Sequence, residues 1–356
     1  MNTKFKFMAG FILIFVLLLQ LNESFGQKKI EKILAEKEFP IAEDATLKII
    51  HKYGNVVLNN HDRNLILIKV TASLETTNME KAEKIFDKID LQITGDQSLV
   101  KISSEFNDKI NDKDQNLKVD IEVFMPQTIS VDLDQMFGYA YIENVNGPFR
   151  IESKYGSFQT GQLSYPDNDV RLSFGSGSVG YLEGGKVEVS YGDIEIKKAG
   201  NIRMKVDYSN AEVDKARNLF VQNEGGSLKI EDLNALELTA KFSDVEITRV
   251  AESLKINSEY GSIKVQHIMP AFTSVELINS FGGSELGFAT GSAFTIEAEV
   301  SFCDLKYPEE HTRMTEKITS SFTGNYKGII GSASNPESKL VIRSNYGDVR
   351  IRMNDK

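Results

Sequence analysis

The fold of this chain is constrained most by a short motif that recurs through its C-terminal two thirds. Each copy has an aromatic residue, a small residue, a small polar residue and an apolar–polar–apolar run, and between residues 137 and 260 it returns every 17 to 19 residues. Clear copies are SYGDIEI (190–196), DYSNAEV (207–213), KFSDVEI (241–247), EYGSIKV (259–265) and NYGDVRI (345–351). The anchor positions are Phe137, Tyr155, Phe174, Tyr191, Tyr208, Gly225, Phe242, Tyr260, Phe281, Phe302, Phe322 and Tyr346, and Tyr53 marks an isolated earlier copy. A period of this size is typical of solenoids.

The pattern inside each copy predicts two short strands joined by a corner. Apolar residues lie four and two positions before the anchor, as Val187 and Val189 do before Tyr191, and three and five positions after it, as Ile194 and Ile196 do. Strand alternation with period two therefore slips by one at the anchor, which indicates a turn of the chain. The anchor shares its parity with the preceding apolar residues. We therefore expect the aromatic rings to pack inside the core, and not to form an exposed platform for sugars.

A further apolar column predicts a second corner in each copy. It lies eight residues after the anchor, at Val145, Leu163, Leu182, Ala199, Ala216, Leu233, Val250, Ile268 and Ala289. Copies that share these inward-facing apolar columns predict a series of coils. Each coil can bury its apolar face only by stacking on its neighbours. The alternation excludes helical repeats, and a propeller needs about twice this period. The predicted fold is all-β: a single-stranded parallel β-helix, or β-solenoid, of about twelve coils, right-handed as parallel crossovers are.

The segment 27–133 lacks the regular period. Leu65–Val70 and Leu117–Phe124 resemble long strands, and Thr77 to Glu80 starts a helix with a capping-box pattern. Its predicted apolar stripe is Met79, Ala82, Phe86 and Ile89. Because a solenoid needs its end coils covered, we expect an N-terminal α+β cap. The predicted domains are a signal peptide at 1–26, a capping region at 27–133 and a solenoid at 134–356.

The first residues predict export. Lys4 and Lys6 precede an apolar run over 7–19, and a small-residue site ends at Gly26, which is the pattern of a secretory signal cleaved there. The run is shorter than the roughly 20 residues of a membrane-spanning helix. The single cysteine, Cys303, lies far from this site, so the sequence offers neither a lipoprotein thiol nor an internal disulfide. We expect an exported protein, in the periplasm or at the cell surface.

The overall charge of the chain argues against polyanionic partners. The net charge of −10 disfavours nucleic acid and anionic membrane surfaces. The expected partner is a surface ligand or an envelope component, either protein or glycan.

Taken with the predicted helix and the Phe124–Pro126 turn, the run of YGD, FSD and YGS corners resembles a bacterial family of unknown function, DUF4097-like, labelled "putative adhesins". The resemblance covers about residues 40–356. It implies a β-helix and a non-catalytic adhesive or scaffolding role, and it implies no catalytic residues.

Candidate chemistry in the sequence is weak. His51, His61, His267 and His311 are scattered without metal-ligand spacing, and Ser176 belongs to a corner and not to a nucleophile elbow. We predict no catalytic, cofactor-binding or metal-binding residues, and no cofactor.

Polar columns beside the corners allow two interpretations. Two residues after the anchor stand Asp193, Asn210, Asp244, Asp304 and Asp348. Stacked carboxylates of this kind could hold calcium between coils, but serine and glycine interrupt the column, so we favour Asx turns that cap their own corners. Four residues after the anchor, acidic and basic residues are mixed (Glu195, Glu212, Lys229, Glu246, Lys264, Glu285, Lys306), as on a solvated face.

The C-terminal copy suggests an open end. We expect Asn345–Ile351 to form a strand with an unpaired outer edge, and hence weak self-association through this coil. Three alternatives to a non-catalytic adhesin or scaffold stay open: a polysaccharide-active β-helix enzyme, a self-assembling envelope protein and a periplasmic signalling accessory.

Overall fold

The computed structural model describes residues 29–106 and 117–354, so the predicted signal peptide lies outside the described residues. The first strands are β1 (Lys29–Pro40), β2 (Thr46–Lys52), β3 (Val56–Asn60), β4 (Leu65–Glu75), β5 (Ile89–Gly95), β6 (Leu99–Phe106), β7 (Leu117–Met125), β8 (Ser130–Met136), β9 (Tyr139–Val145), β10 (Phe149–Lys154), β11 (Ser157–Leu163) and β12 (Asn168–Ser173). The others are β13 (Ser176–Ser190), β14 (Asp193–Glu259), β15 (Ile263–Ile268), β16 (Ser274–Ser280), β17 (Ser284–Ala289), β18 (Phe294–Ser301), β19 (Leu305–Lys306), β20 (Thr312–Thr319), β21 (Thr323–Ile330), β22 (Ser338–Asn345) and β23 (Val349–Asn354). Helix α1 spans Met79–Phe86, and a 3₁₀ turn spans Glu309–His311.

Equivalent positions of successive copies stack in register. Ile151 in β10 pairs in parallel with Leu133 in β8 on one side and with Val170 in β12 on the other. After the corner, β11 pairs in the same way with β9 and β13. The fold is all-β and solenoid-like, as the repeat predicts.

The core follows the predicted apolar columns. Val187 and Val189 before the corner and Ile194 and Ile196 after it are all buried. The column eight residues after the anchor is buried at seven of nine positions, with Ala216 and Ala289 partly exposed. Each fully buried aliphatic side chain contributes about 1.5–3 kcal/mol through the hydrophobic effect, so the stack of columns is the main source of stability.

The N-terminal part does not stack in sequence order. Strand β2 lies between β6 and β8, and β3 lies between β7 and β9, all in parallel. Beyond them the pairing becomes antiparallel, from β7 to β4 to β1 and from β6 to β5. The isolated motif at Tyr53 is therefore a member of the coil stack.

Helix α1 packs on this antiparallel part. Asn78 is its N-cap and accepts a hydrogen bond from the backbone N–H of Lys81 at 3.0 Å. The predicted stripe is partly wrong, because Met79 is exposed and Ile85 is buried with Ala82 and Phe86 in its place. The apolar face of the helix begins one turn later than expected.

The C-terminal strands are paired on both sides over Ser338–Asn345 and at Val349 and Arg350, so the predicted open edge is wrong. Strand β22 lies between β16 and β18, and β23 lies between β17 and β19. The last copy of the motif thus inserts into the stack between two coils that precede it in sequence. Beyond β18, the antiparallel strands β21 and β20 follow. Self-association through an unpaired Asn345–Ile351 strand loses its physical basis.

Candidate binding surface

The aromatic anchors point to solvent, and their predicted place in the core is wrong. Tyr191 and Phe242 are 55% and 61% exposed. The cause is the backbone: eleven aromatic anchors have φ between 50° and 62°, and they are the only non-glycine residues with positive φ in 29–106 and 117–354. The alternation of side chains holds only while the strand stays extended. A residue in the left-handed region at the corner turns its Cβ away from the face that its parity predicts.

The residue after each anchor must be small because neighbouring corners approach closely. A Cβ added to Gly156 would lie 2.3 Å from the carbonyl oxygen of Gly138 on the adjacent coil. Real Cβ contacts are not this short, so glycine is required at this corner, whereas the corners at Ser209, Ser243 and Cys303 accommodate a small side chain. This close approach brings the aromatic rings of successive coils into contact.

The rings form a ladder along one edge of the solenoid. Six stack from Tyr53 to Tyr208, with ring centroids 5.0–5.4 Å apart and planes within 13°. A second run, from Phe242 to Phe302, has centroids 4.8–5.1 Å apart. Its order is Phe242, Tyr260, Phe281, Tyr346 and Phe302, following the insertion of the last coil and not the sequence. Phe322 ends this run with a tilted ring in the turn between β20 and β21, and it is not a coil corner.

Maintaining this ladder carries a conformational cost. A non-glycine residue in the left-handed region costs roughly 1–2 kcal/mol, and a stacked aromatic pair returns about 0.5–1.5 kcal/mol. Glycine or asparagine would make the same corner with less strain. An exposed row of large rings in strained backbone is therefore poorly explained by stability alone, and strain of this kind clusters at functional sites.

One corner lacks a ring. Gly225 and Gly226 both have positive φ, 74° and 97°, and Gly225 separates Tyr208 from Phe242. A Cβ on Gly225 would lie 2.9 Å from Cδ1 of Tyr208, so the Tyr208 ring leans over the backbone of this corner. The ladder is divided into two runs here.

The polar column beside the ladder is hydrogen bonded from coil to coil. Asn210 donates through Nδ2 to Asp193 Oδ1 at 2.9 Å, and Ser227 donates through Oγ to Asn210 Oδ1 at 2.7 Å. Ser262 donates to Asp244 from its backbone N–H and its hydroxyl, and these bonds lower the pKa of the Asp244 carboxyl. The expected Asx turns at these corners are thus replaced by bonds to the neighbouring coil, because the 5 Å strand spacing brings the next donor within reach.

Charged residues and polar groups line a shallow groove next to this column. The groove has a volume of about 580 Å³, and Ser157, Ser176, Asp193, Glu195, Asn210, Glu212, Ser227 and Lys229 contribute to it. Ligand oxygens of Glu212, Asp214 and Glu231 lie within 4.8 Å of one another. Lys229 binds Glu212 at 2.6 Å and Lys197 lies 3.4 Å from Asp214, so two of these carboxylates are paired with cations.

The histidines lie on different elements. His51 is buried in β2 and its Nδ1 lies 2.7 Å from the Ser104 hydroxyl. Burial lowers the pKa of His51 to about 4, which keeps its ring neutral at neutral pH. His61 follows β3, His267 is in β15 and His311 is in the 3₁₀ turn. Their scatter in sequence is also a scatter in space.

The family of the chain follows from its match to a family model. Residues 55–354 match the model of the Toastrack DUF4097 family. The chain belongs to the Toastrack family. The resemblance seen in the repeated corners is confirmed, and the Toastrack match runs from the corner after Tyr53 to the end of β23. No curated protein matches the chain.

Solved structures with distant similarity complete the comparison. A putative adhesin from Bacteroides fragilis has 10% identity and a TM-score of 0.29 over 91% of this chain and 97% of that chain. A putative adhesin from Parabacteroides merdae has 10% identity and a TM-score of 0.28 over 91% and 96%. A putative lipid binding protein from Parabacteroides distasonis has 11% identity and a TM-score of 0.23 over 92% and 98%. Within residues 29–106 and 117–354, no helix has the length and apolar character needed to cross a bilayer.

Proposed function

We propose that this Toastrack protein is an exported, non-catalytic binding module of the bacterial envelope whose contact surface is the aromatic ladder. The observation that carries the proposal is the set of eleven aromatic anchors held in left-handed backbone with their rings 39–61% exposed. Large exposed aromatic surfaces mark interaction sites. Rings also offer contact area with few side-chain torsions to immobilise, which favours their use in binding.

The chemistry along the ladder supports binding over catalysis. Phenyl and phenol rings stack and make van der Waals contacts, which favour the binding of a ligand surface. The carboxylates nearby are engaged in hydrogen bonds or ion pairs, as Asp193 is with Asn210 and Glu246 with Lys264. A glycosidase, in contrast, uses a pair of carboxyl groups that flank the scissile bond.

The proposed architecture also contains the domain boundaries and the coil arrangement that the sequence predicts. We propose a cleaved signal at 1–26, a capping region at 27–133 and a solenoid region at 134–356, with a right-handed, single-stranded β-helix of about twelve coils in all. Strands β2 and β3 then contribute the first coil from within the capping region. The regular parallel pairs and the single motif per coil support this division.

Removing rings from the ladder tests the proposal. The chain and its Tyr155→Ser/Tyr191→Ser variant are compared for retention on immobilised peptidoglycan, chitin and mucin. Phe220→Ser is the matched control, since Phe220 is 47% exposed on a strand away from the corners. We expect retention on one of the polymers that the double variant loses and the control keeps. Equal retention of all three proteins would contradict a binding role for the ladder.

Cell fractionation tests the export part separately. Protease treatment of intact cells, with a periplasmic protein as control, distinguishes surface from periplasmic protein. A chain found only in the cytoplasm would contradict export.

A further inference from the structure

The gap in the aromatic ladder at Gly225 has the dimensions of one ring. Successive rings elsewhere lie 4.8–5.4 Å apart, so the two steps from Tyr208 to Phe242 span roughly 10 Å. With the leaning Tyr208 ring turned back parallel to its neighbours, a six-membered ring placed between Tyr208 and Phe242 would lie about 5 Å from each, which is the spacing of the rest of the ladder. The gap is therefore a slot with an aromatic wall on either side.

Exposure supports an open slot. Tyr208 and Phe242 are 58% and 61% exposed, more than the other nine left-handed anchors. Each has a stacked neighbour on one side only, Tyr191 for Tyr208 and Tyr260 for Phe242. Gly225 is buried beneath the leaning Tyr208 ring and forms the floor.

The slot has a polar rim on both sides. Asn210, Ser227 and Asp244 follow the three corners and are exposed, and they supply amide, hydroxyl and carboxylate groups. Glu224 and Lys241 precede two of the corners and are also exposed. An occupant would meet apolar faces above and below and hydrogen-bonding groups around its edge.

We propose that this slot binds one pyranose ring of a β-linked glycan whose ring substituents are equatorial. Such a ring presents apolar C–H groups on both faces and hydroxyl or amide groups around its rim, which matches the two walls and the polar edges. The net charge of −10 disfavours the bases of a nucleic acid, the other common flat rings. The inference rests on the proposed binding role of the ladder and adds the class of ligand and its place.

Filling the slot from within tests the proposal. The full chain is titrated with chitohexaose and with cellohexaose by calorimetry. In Gly225→Phe, the new ring is aimed into the slot, because the eleven other corners hold an aromatic residue at positive φ, between 50° and 62° against 74° at Gly225. Gly225→Ala is the matched control, because it adds the same Cβ against Tyr208 and the same strain without a ring.

We expect at least one hexasaccharide to bind and Gly225→Phe to weaken it about tenfold or more, whereas Gly225→Ala changes it less than about threefold. Thermal melts of both variants confirm folding. Tyr208→Ser and Phe242→Ser each remove one wall without adding bulk, and we expect a similar loss from either. Unchanged binding by Gly225→Phe and by both wall variants would overturn the slot.

Failures of the two proposals are distinguishable. Loss of binding in Tyr155→Ser/Tyr191→Ser but not in Gly225→Phe would keep the ladder as the binding surface and overturn the slot. If neither hexasaccharide binds at about 1 mM and a tri-tyrosine peptide does, in a manner blocked by Gly225→Phe, the glycan class is overturned. The slot would then belong to an aromatic side chain of a protein partner.

Discussion

Tyr53 stacks on Phe137 with ring centroids 5.1 Å apart and planes within 5°, although the two residues lie far apart in the sequence. The contact follows from the position of β2 and β3 beside β8 and β9. A motif that looks isolated in the sequence is thus the first rung of the ladder. The stack begins before the regular repeat does.

Removing an anchor ring is expected to cost little stability. Because Tyr191 and Phe242 are more than half exposed, we expect each variant to lose only stacking. Tyr191→Ala removes two stacked pairs and should lower the free energy of unfolding by about 1–3 kcal/mol, and Phe242→Ala removes one pair and should lower it by about 0.5–1.5 kcal/mol. Ile196→Ala, at a fully buried position, should cost about 2–5 kcal/mol. Chemical denaturation measures all three. Costs for the two ring variants as large as for Ile196→Ala would place the rings in the core after all.

Backbone strain at the corners predicts a difference between two small substitutions. Tyr191 has φ of 54°, which glycine adopts freely and alanine does not. We expect Tyr191→Gly to be more stable than Tyr191→Ala by about 1 kcal/mol. The reverse order in denaturant melts would show that the corner is not strained.

The sequence predicts the inward columns well because they depend only on the alternation of extended strands. It predicts the anchors wrongly because parity does not reveal where the backbone enters the left-handed region. The signal was present at the anchors: an aromatic residue followed by glycine at the point where parity slips, as at Tyr191-Gly192, indicates a ring at a positive-φ corner. The stacking order of Tyr346 and Phe302 has no local sequence signal, because it depends on long-range insertion.

Burial of His51 predicts a loss of stability at acid pH. Its pKa is about 4 in the folded chain against 6.5 for an ordinary histidine, so between these values the unfolded chain binds the proton more strongly. Stability is unaffected above pH 6.5 and falls as pH decreases towards 4, by up to about 3 kcal/mol from this residue. His51→Gln should flatten the pH dependence of the free energy of unfolding relative to the unmodified chain. His311→Gln is the control, since His311 is exposed, and a similar flattening in both variants would contradict the assignment.

The burial of Asn223 without a hydrogen-bond partner predicts that an apolar residue at this position would stabilise the chain. Its side chain is 2% exposed and both its polar atoms lack a hydrogen-bond partner, whereas the same column in the adjacent coils holds Val206 and Ala240. We expect Asn223→Leu to raise the free energy of unfolding by about 1–2 kcal/mol, because a buried polar group without a partner is replaced by an apolar one of similar size.

Asn168 is the matched control for this change. It is equally buried, but its Nδ2 donates to the carbonyl oxygens of Tyr165 and Gly184, so Asn168→Leu should destabilise the chain. Thermal melts compare the two variants. Destabilisation by both would mean that Asn223 has a partner such as an ordered water.

Chelation is expected to leave the melting temperature unchanged. The oxygens of Asp193, Asn210 and Asp244 accept hydrogen bonds from the neighbouring coil, and Glu212 is paired with Lys229. Such groups satisfy one another and do not leave the six to eight free oxygens that calcium takes. Calorimetric titration with calcium checks this, and saturable heat with one or more ions per chain would contradict it.

The insertion of β22 and β23 between strands that precede them sets the order in which the molecule can be completed. Two coils, ending at Ala289 and Lys306, stay unjoined until β22 and β23 reach them. Synthesis delivers the N-terminal residues first, so a growing chain holds a vacant place in its stack until residues 338–354 arrive. Contacts that close such long loops are slow to form. Completion of the stack is thereby coupled to the arrival of Ser338–Asn345 and Val349–Asn354, and a chain truncated before Ser338 would be exposed to proteolysis at that vacant place.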